Sequence, residues 1–270
     1  MRVGIIQVIV DTMKKNRPIP VFITARMGST RLPRKHLLEI FDKPVIDYMI
    51  KRVKHSKSAG FFVLCTTNLP EDDVFEGIAQ RQDIRIFRGH PTDILKRWLD
   101  AADYFGSNYF ISAEADDVFC DPFFIDTIIQ KLEENNFDYI TCKGLPFGVT
   151  PTGISVAALR KICSLKKEND TEGQERFFTK TGLFRVHSIE ITDPASINPD
   201  ARMTLDYYED FLFFKAVFTH FHGKKEFFSL QDIIQLLKEH PEIQEINNKM
   251  QAIYEKRYQE RYGTIHLDKT

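Results

Sequence analysis

Through its first half this chain alternates short apolar runs with segments of helical period, and that rhythm leaves few folds open to it. Ile19 to Thr24 is an apolar run of strand length. Val45 to Val53 then carries apolar residues at 45, 46, 49, 50 and 53, one face of a helix. Phe61 to Thr66 is a second buried strand, Glu71 to Gln80 suits a helix, and Ile84 to Phe87 is a third strand. Thr92 to Phe105 follows as an amphipathic helix with Ile94, Leu95, Trp98, Leu99 and Ala102 on one side. Tyr109 to Ala113 is a fourth strand. Pro122 opens the next helix, Phe123 to Leu132, where its missing N–H costs nothing. Strands separated by helices of this length need right-handed crossovers. The expected fold class is therefore α/β, a Rossmann-like, mostly parallel sheet flanked by helices.

From about Phe137 the rhythm loosens. Asp138 to Cys142 and Phe184 to Ile191 read as further strands, around a connection rich in glycine and proline (Gly144, Pro146, Gly148, Pro151, Gly153). After Tyr207 comes a helix crowded with phenylalanine (Phe211, Phe213, Phe214, Phe218, Phe221), then Ser229 to Lys238 and Ile243 to Arg261 as two more helices. A helix apolar nearly all round is buried, in its own core or against a second subunit, and a homodimer is expected. The expected organisation is an extension over 1–18, a main domain over 19–225 and a helical extension over 226–270, whose residues suggest no chemistry.

A hydrophobic content of 43% is enough for a sizeable core, and a net charge of −1 gives no global field to draw in nucleic acid or an anionic membrane. Cys65, Cys120, Cys142 and Cys163 form no C-x-x-C pair, so neither a zinc site nor a disulfide framework is expected, and a reducing cytoplasmic compartment suits them. The stretch Val3 to Val10 is far short of the roughly 20 residues of a membrane span and lacks the flanks of a signal peptide.

Where the first strand ends, residues 23 to 37 read ITARMGSTRLPRKHL. Arg26, Arg31, Arg34 and Lys35 are interleaved with Ala25, Gly28, Ser29 and Thr30, whose small side chains let backbone N–H groups approach an anion, and no acid stands among them. Ligands of a parallel sheet gather at the carboxyl ends of its strands, so this loop reads as a phosphate cradle. The absence of G-x-x-x-x-G-K-[ST] excludes a P-loop ATPase.

Thr66-Thr67-Asn68 ends the second strand, and EADDVFCD, Glu114 to Asp121, ends the fourth. Four carboxylates this dense call for a neutralising divalent cation. Asp121, directly before Pro122, is read as a helix N-cap. Asp116 faces the crevice, and Asp117 either supports it or is a solvated carboxylate. In NPDARMTLDYYEDF, residues 198 to 211, Arg202, Thr204 and Asp206 alternate with Met203 and Leu205 as one face of a short strand would. Glu209 and Asp210 look like first-turn acids of the following helix. One Mg²⁺ shared by Asp116 and Asp206 would leave positions for phosphate oxygens and water.

The ordered set ARMGSTRLPRKHL, KPVIDYMIKRVKHSK, VLCTTN, FRGHPTDILKRWLDAA, EADDVFCDP and NPDARMTLDYYEDF resembles cytidylyltransferases of the spore-coat polysaccharide type. It is more distantly similar to the synthetases of CMP-sialic acid and CMP-Kdo, and it covers about residues 20 to 218. The resemblance implies a nucleotide-diphospho-sugar transferase type of fold, a Mg²⁺-dependent transfer of CMP from CTP to a small acidic acceptor, and a homodimer. It implies that the loop from Ala25 through Ser29 to Lys35 holds the triphosphate, with Arg26, Arg31 and Lys35 on phosphate oxygens. Thr66, Thr67 and Arg88 would border the nucleoside, and Asp116 and Asp206 fall on the two metal-binding aspartates. Arg26, Lys35 and Asp116 would carry the catalytic step.

The chain departs from that pattern where Arg34 stands for the usual Gly, where ADDVFCDP stands for a stretch closer to GDCPLIDP, and near Thr152, where a Glu is usual. Arg185 or Arg202 is the expected cation for the acceptor's own charge. Two other readings remain open at this level: a metal-dependent glycosyltransferase, and a nucleotide-binding domain that has lost catalysis.

Overall fold

A computed structural model of the chain describes residues 18–262 and 265–268, so the extension expected over 1–18 lies, but for Pro18, outside the described residues. Seven strands form the central sheet in the order β5 (Arg85–Gly89), β4 (Phe62–Thr67), β1 (Val21–Thr24), β6 (Tyr109–Glu114), β8 (Thr152–Ser155), β7 (Tyr139–Lys143) and β9 (Val186–Glu190). β1 pairs in parallel with β4 and β6, placing Thr24 opposite both Cys65 and Glu114, so three strand ends converge on one edge. Only β8 runs against its neighbours. A separate hairpin, β2 (Glu39–Ile40) and β3 (Lys43–Pro44), lies between the loop after β1 and the first helix.

The side-chain alternation of β1 divides the core into two layers. Val21 and Ile23 enter one, with Leu64, Ile111 and Ala113, beneath the helices α1 (Val45–Val53), α2 (Val74–Arg81), α4 (Pro122–Glu134), α7 (Tyr208–Phe221) and α8 (Leu230–Glu239). Phe22 enters the other, with Val63, Cys65 and Phe110, beneath α3 (Ile94–Phe105), α5 (Val156–Leu165) and α6 (Glu175–Thr179). Helices on both faces explain why β1 is wholly buried and apolar from Val21 to Ile23, as strands of parallel sheets are. The fold is the expected one: a mostly parallel sheet between helical layers, with more helices after residue 226.

Three local features differ from the sequence expectation, and a fourth takes one of the two courses it left open. β8 and α5 lie where an irregular connection was expected. β8 is only four residues long, and its Gly153 is required because a Cβ there would meet Ile140 at 2.6 Å and Ile128 at 2.7 Å. The stretch around Arg202 is an extended segment and not a strand. It joins the Gly148 loop through Met203 N–H to Phe147 O at 2.7 Å, and Asp116 through Leu205 N–H to Asp116 O at 2.9 Å. The phenylalanines of α7 are spent within the chain: Phe213 and Phe214 are fully buried, and Phe119 packs on Phe214 at 4.8 Å and on Phe228 at 5.8 Å. They therefore need no second subunit to cover them. Finally, the expected single helix over Ile243 to Arg261 divides into α9 (Pro241–Glu245) and α10 (Met250–Tyr262).

Candidate active site

The converging ends of β1 and β6 open into a cleft of about 510 Å³, lined by the loop after β1, the turn after β6, the Thr204–Asp206 segment, residues 172–175 and one side of α10. The loop after β1 is held in shape from behind. Met27 N–H donates to Asp72 Oδ1 at 2.7 Å, Asp72 also receives the Thr67 hydroxyl, and Ala25 N–H donates to Cys65 O at 3.2 Å. Arg34 then turns with a left-handed φ of 57°, which sends Lys35 inward while Arg34 itself points to solvent and does not line the cleft. The usual Gly of the resembled family falls at the position where the backbone takes a glycine-like conformation.

Every cation expected to meet phosphate is in contact with a carboxylate. Arg26 pairs with Glu172, Arg31 with Asp206, and Lys35 with Asp116 and also with Asp206 at 3.1 Å. Lys35 is buried, which alone would make its ammonium easier to deprotonate, but the two carboxylates reverse this and hold its pKa above the ordinary lysine value. Asp206 shows the mirror image: burial favours its neutral form, and Lys35, Arg31 and Arg202 together hold it well below the usual carboxylate range. Asp116 and Asp206, 90 positions apart in the chain, thus converge on one point, the Lys35 ammonium.

Asp206 is positioned from below. Arg202, 1% exposed, donates to Asp206 Oδ2 at 3.0 Å and to Asp210 Oδ1 at 2.9 Å, while Asp210 Oδ2 receives the N–H groups of Asp206 and Tyr207, both at 2.9 Å. Asp210 is a first-turn acid of α7, as expected, and its burial makes it an interior anchor as well. Arg202 is correspondingly unable to serve as a free cation for an acceptor. Arg185, the other expected candidate, is exposed on β9's approach, with its guanidinium 5.7 Å from the Phe137 ring and outside the cleft lining.

Ala25, Ser29, Arg26, Arg31, Lys35, Asp116 and Asp206 all line the cleft; Thr66, Thr67 and Arg88 do not. Thr66 and Thr67 are buried, and Arg88 donates to Thr67 O at 3.0 Å and Leu69 O at 2.9 Å while pairing with Asp73 and Glu76, so these three brace the wall behind the loop. Asp121 caps α4 through Phe123 N–H at 3.0 Å, and it also forms a buried pair with Arg52 at 3.2 Å. Asp117 bonds Thr204, and burial, reinforced by the charge of Asp116, raises its carboxyl well above the ordinary carboxylate value. Glu114 receives Gln174 Nε2 at 2.9 Å, and burial, reinforced by Asp116, pushes its carboxyl up to about 8. Thr152 opens β8 outside the cleft.

Sequence reasoning missed the roof. α10 lies over the cleft with Tyr254, Tyr258 and Tyr262 in series, their ring centroids 5.9 and 5.1 Å apart, and with Arg257 and Arg261 beside them. Arg31 lies 5.8 Å from both the Tyr207 and Tyr254 rings. Arg261 contacts Glu172 at 3.2 Å and Asp170 at 2.8 Å, and Tyr258 hydrogen-bonds Glu175, tying the roof to the 170–175 loop. Tyr at i, i+4 and i+8 was the available signal.

The fold and the cleft together define an α/β nucleotidyltransferase architecture, with clustered cations and two converging aspartates at the carboxyl edge of the sheet. The cytidylyltransferase family model matches residues 21–266, and the chain belongs to that family. It is 27% identical over 227 residues to the spore coat polysaccharide biosynthesis protein SpsF of Bacillus subtilis, covering 82% of this chain and 94% of that one. A cytidylyltransferase structure from Leptospira borgpetersenii superposes with a TM-score of 0.77 at 25% identity, covering 85% of this chain and 97% of that one. A CMP:2-keto-3-deoxy-manno-octonic acid synthetase solved with CTP shares the fold, with a TM-score of 0.59 at 15% identity over 76% of this chain and 99% of that one. Among the described residues no helix is long and apolar enough to cross a membrane.

Proposed function

We propose that this chain transfers CMP from CTP to a small acidic sugar or related acceptor in surface polysaccharide or glycoconjugate synthesis, releasing pyrophosphate, as a Mg²⁺-dependent cytoplasmic homodimer. Family membership supports the nucleotide and the reaction type, and the similarity to the spore-coat protein supports the polysaccharide context. The observation that carries the reading is the pairing of Arg31 and Lys35 with Asp116 and Asp206 at the carboxyl edge of the sheet.

The residues suit a divalent cation. Asp116 and Asp206 present hard carboxylate oxygens to one shared point, which a lysine ammonium holds, and a cation that replaces that ammonium leaves Lys35 free for phosphate. Bound there by Asp116 and Asp206, Mg²⁺ would neutralise charge at the α-phosphate.

In the reaction the acceptor oxygen attacks the α-phosphorus, its bond to the β-phosphate oxygen breaks, and pyrophosphate leaves. Arg26, Arg31 and Lys35 stabilise the charge that builds on the departing oxygens, and the small residues of the loop from Ala25 to Ser29 let the phosphates approach those cations closely. Thr66, Thr67 and Arg88 act on the nucleotide through the wall they brace. Tyr254 and Tyr258 on the roof limit water in the cleft.

The test is pyrophosphate release with each of the four nucleoside triphosphates against a panel of nonulosonic acids, sugar phosphates and phosphonates. CTP-selective release with an acidic acceptor is expected. Binding of CTP without release on any acceptor would overturn the catalytic reading.

A further inference from the structure

Arg97 is not among the residues so far assigned to the nucleotide, yet it lines the cleft from the first turns of α3. Its side chain is fully buried. Nη1 donates to His90 O at 2.7 Å, but Nε and Nη2 have no hydrogen-bond partner, and no carboxylate forms an ion pair with Arg97 among the described residues. A buried guanidinium with an unused edge is costly unless something arrives to satisfy it. Glu114, the acid nearest in charge influence, is engaged by Gln174 and Ser112 instead.

The surroundings hold Arg97 in this position. Trp98 Nε1 donates to Thr24 Oγ1 at 2.9 Å, locking α3 to the end of β1. Leu95 N–H donates to Thr171 Oγ1 at 3.1 Å, and Thr171 donates to the cap residue Asp93 at 3.0 Å, which ties the 170–175 loop to the same helix. Gly89 is needed beside it, since a Cβ there would lie 3.0 Å from Arg97 Cγ. Arg26 stands close enough for the two positive charges to act on each other, and two guanidinium groups lining one cleft share an affinity for the same kind of ligand atom.

We propose that Arg97 is a further nucleotide-binding residue, whose free Nε–Nη2 edge receives an oxyanion of the bound nucleotide's phosphates. This rests on the CTP reading above. The planar fork offers two parallel donors, the geometry that phosphate accepts.

The experiment is calorimetric titration of the full-length wild type, Arg97→Met and Arg97→Lys with CTP and with cytidine, alongside thermal unfolding of each free protein. Arg97→Met is expected to keep or raise the unfolding midpoint, because it removes an unsatisfied buried charge, while weakening CTP at least about tenfold and leaving cytidine unchanged. Arg97→Lys keeps the charge but loses the fork, and an intermediate loss of CTP affinity is expected; it carries the test if the Met variant does not fold. Unchanged CTP affinity in a folded variant would overturn the proposal, as would an equal loss for cytidine, which would place Arg97 on the nucleoside. Failure of the wild type to bind CTP would overturn the function proposed above together with this one. Wild-type binding without an effect of the variants would overturn this one alone.

Discussion

Arg34 shows how a departure in sequence is absorbed at the scale of one residue. Its φ of 57° is a conformation that costs an ordinary L-residue about 1 kcal/mol or more, and the side chain gains nothing visible from the cleft. Arg34→Gly should therefore change stability by no more than about 1 kcal/mol, the relief of strain being offset by the looser unfolded chain, and should leave CTP affinity unchanged. Denaturant unfolding and calorimetry would show it. The aspartates separate more sharply. Asp116→Asn or Asp206→Asn should lower pyrophosphate release by roughly a hundredfold or more while the protein stays folded, as removal of one stabiliser of transition-state charge does. Asp121→Asn should do the reverse. Asn still caps α4, but Asp121 also neutralises buried Arg52 and receives Leu230 N–H at 3.1 Å, so a stability loss of about 3 kcal/mol with near-normal turnover is expected. The capping role was legible from Asp-Pro in the sequence; the partner 69 positions away was not.

At the scale of elements, the tightest fit near the site is Gly148. Its φ is +90°, and a Cβ would fall 2.6 Å from Met203 C and 2.7 Å from Thr204 Cβ. The missing Cβ lets the extended segment that ends in Asp206 lie directly against the Gly148 loop. Gly148→Ala should therefore lower both the melting temperature and turnover, whereas Gly182→Ala, strained in φ but in open space, should affect only stability. Parallel assays of the two variants would distinguish them. The elements that form long apolar runs, such as β1, β4 and β6, were legible because burial on both faces leaves little choice of residue. β8 was hidden because four residues including a glycine carry no period. α10 was read as a helix but not as part of the site, since tyrosines and arginines at helical spacing look the same whether they face solvent or a cleft.

For the molecule as a whole, the acid limb of stability follows from His36. It is buried, and burial together with the neighbouring Lys35 charge lowers its pKa from 6.5 to about 3. The folded state keeps it neutral while the unfolded chain takes up a proton below pH 6.5, so stability falls as pH drops from 6.5 towards 3. His36→Gln should flatten that part of a melting-temperature profile.

The fold class and the convergence of Asp116 and Asp206 beside the cationic loop were legible from the alternation of strands and acidic clusters, whereas the ion pairs between that loop and the aspartates were not. The acids at 172 and 175 that face the loop were not, since they lie in a segment without period. Their contacts with Arg26 and Tyr258 have a consequence for discrimination among anions. A lone inorganic phosphate that engages Arg26, Arg31 or Lys35 must break an existing ion pair for each one it makes, and it leaves a carboxylate stranded. A triphosphate arriving with its counter-cation exchanges both halves of several pairs at once. The lining thus counts charges in matched sets, and simple salts and free phosphate should compete poorly for a place that an uncompensated basic loop would have surrendered to them.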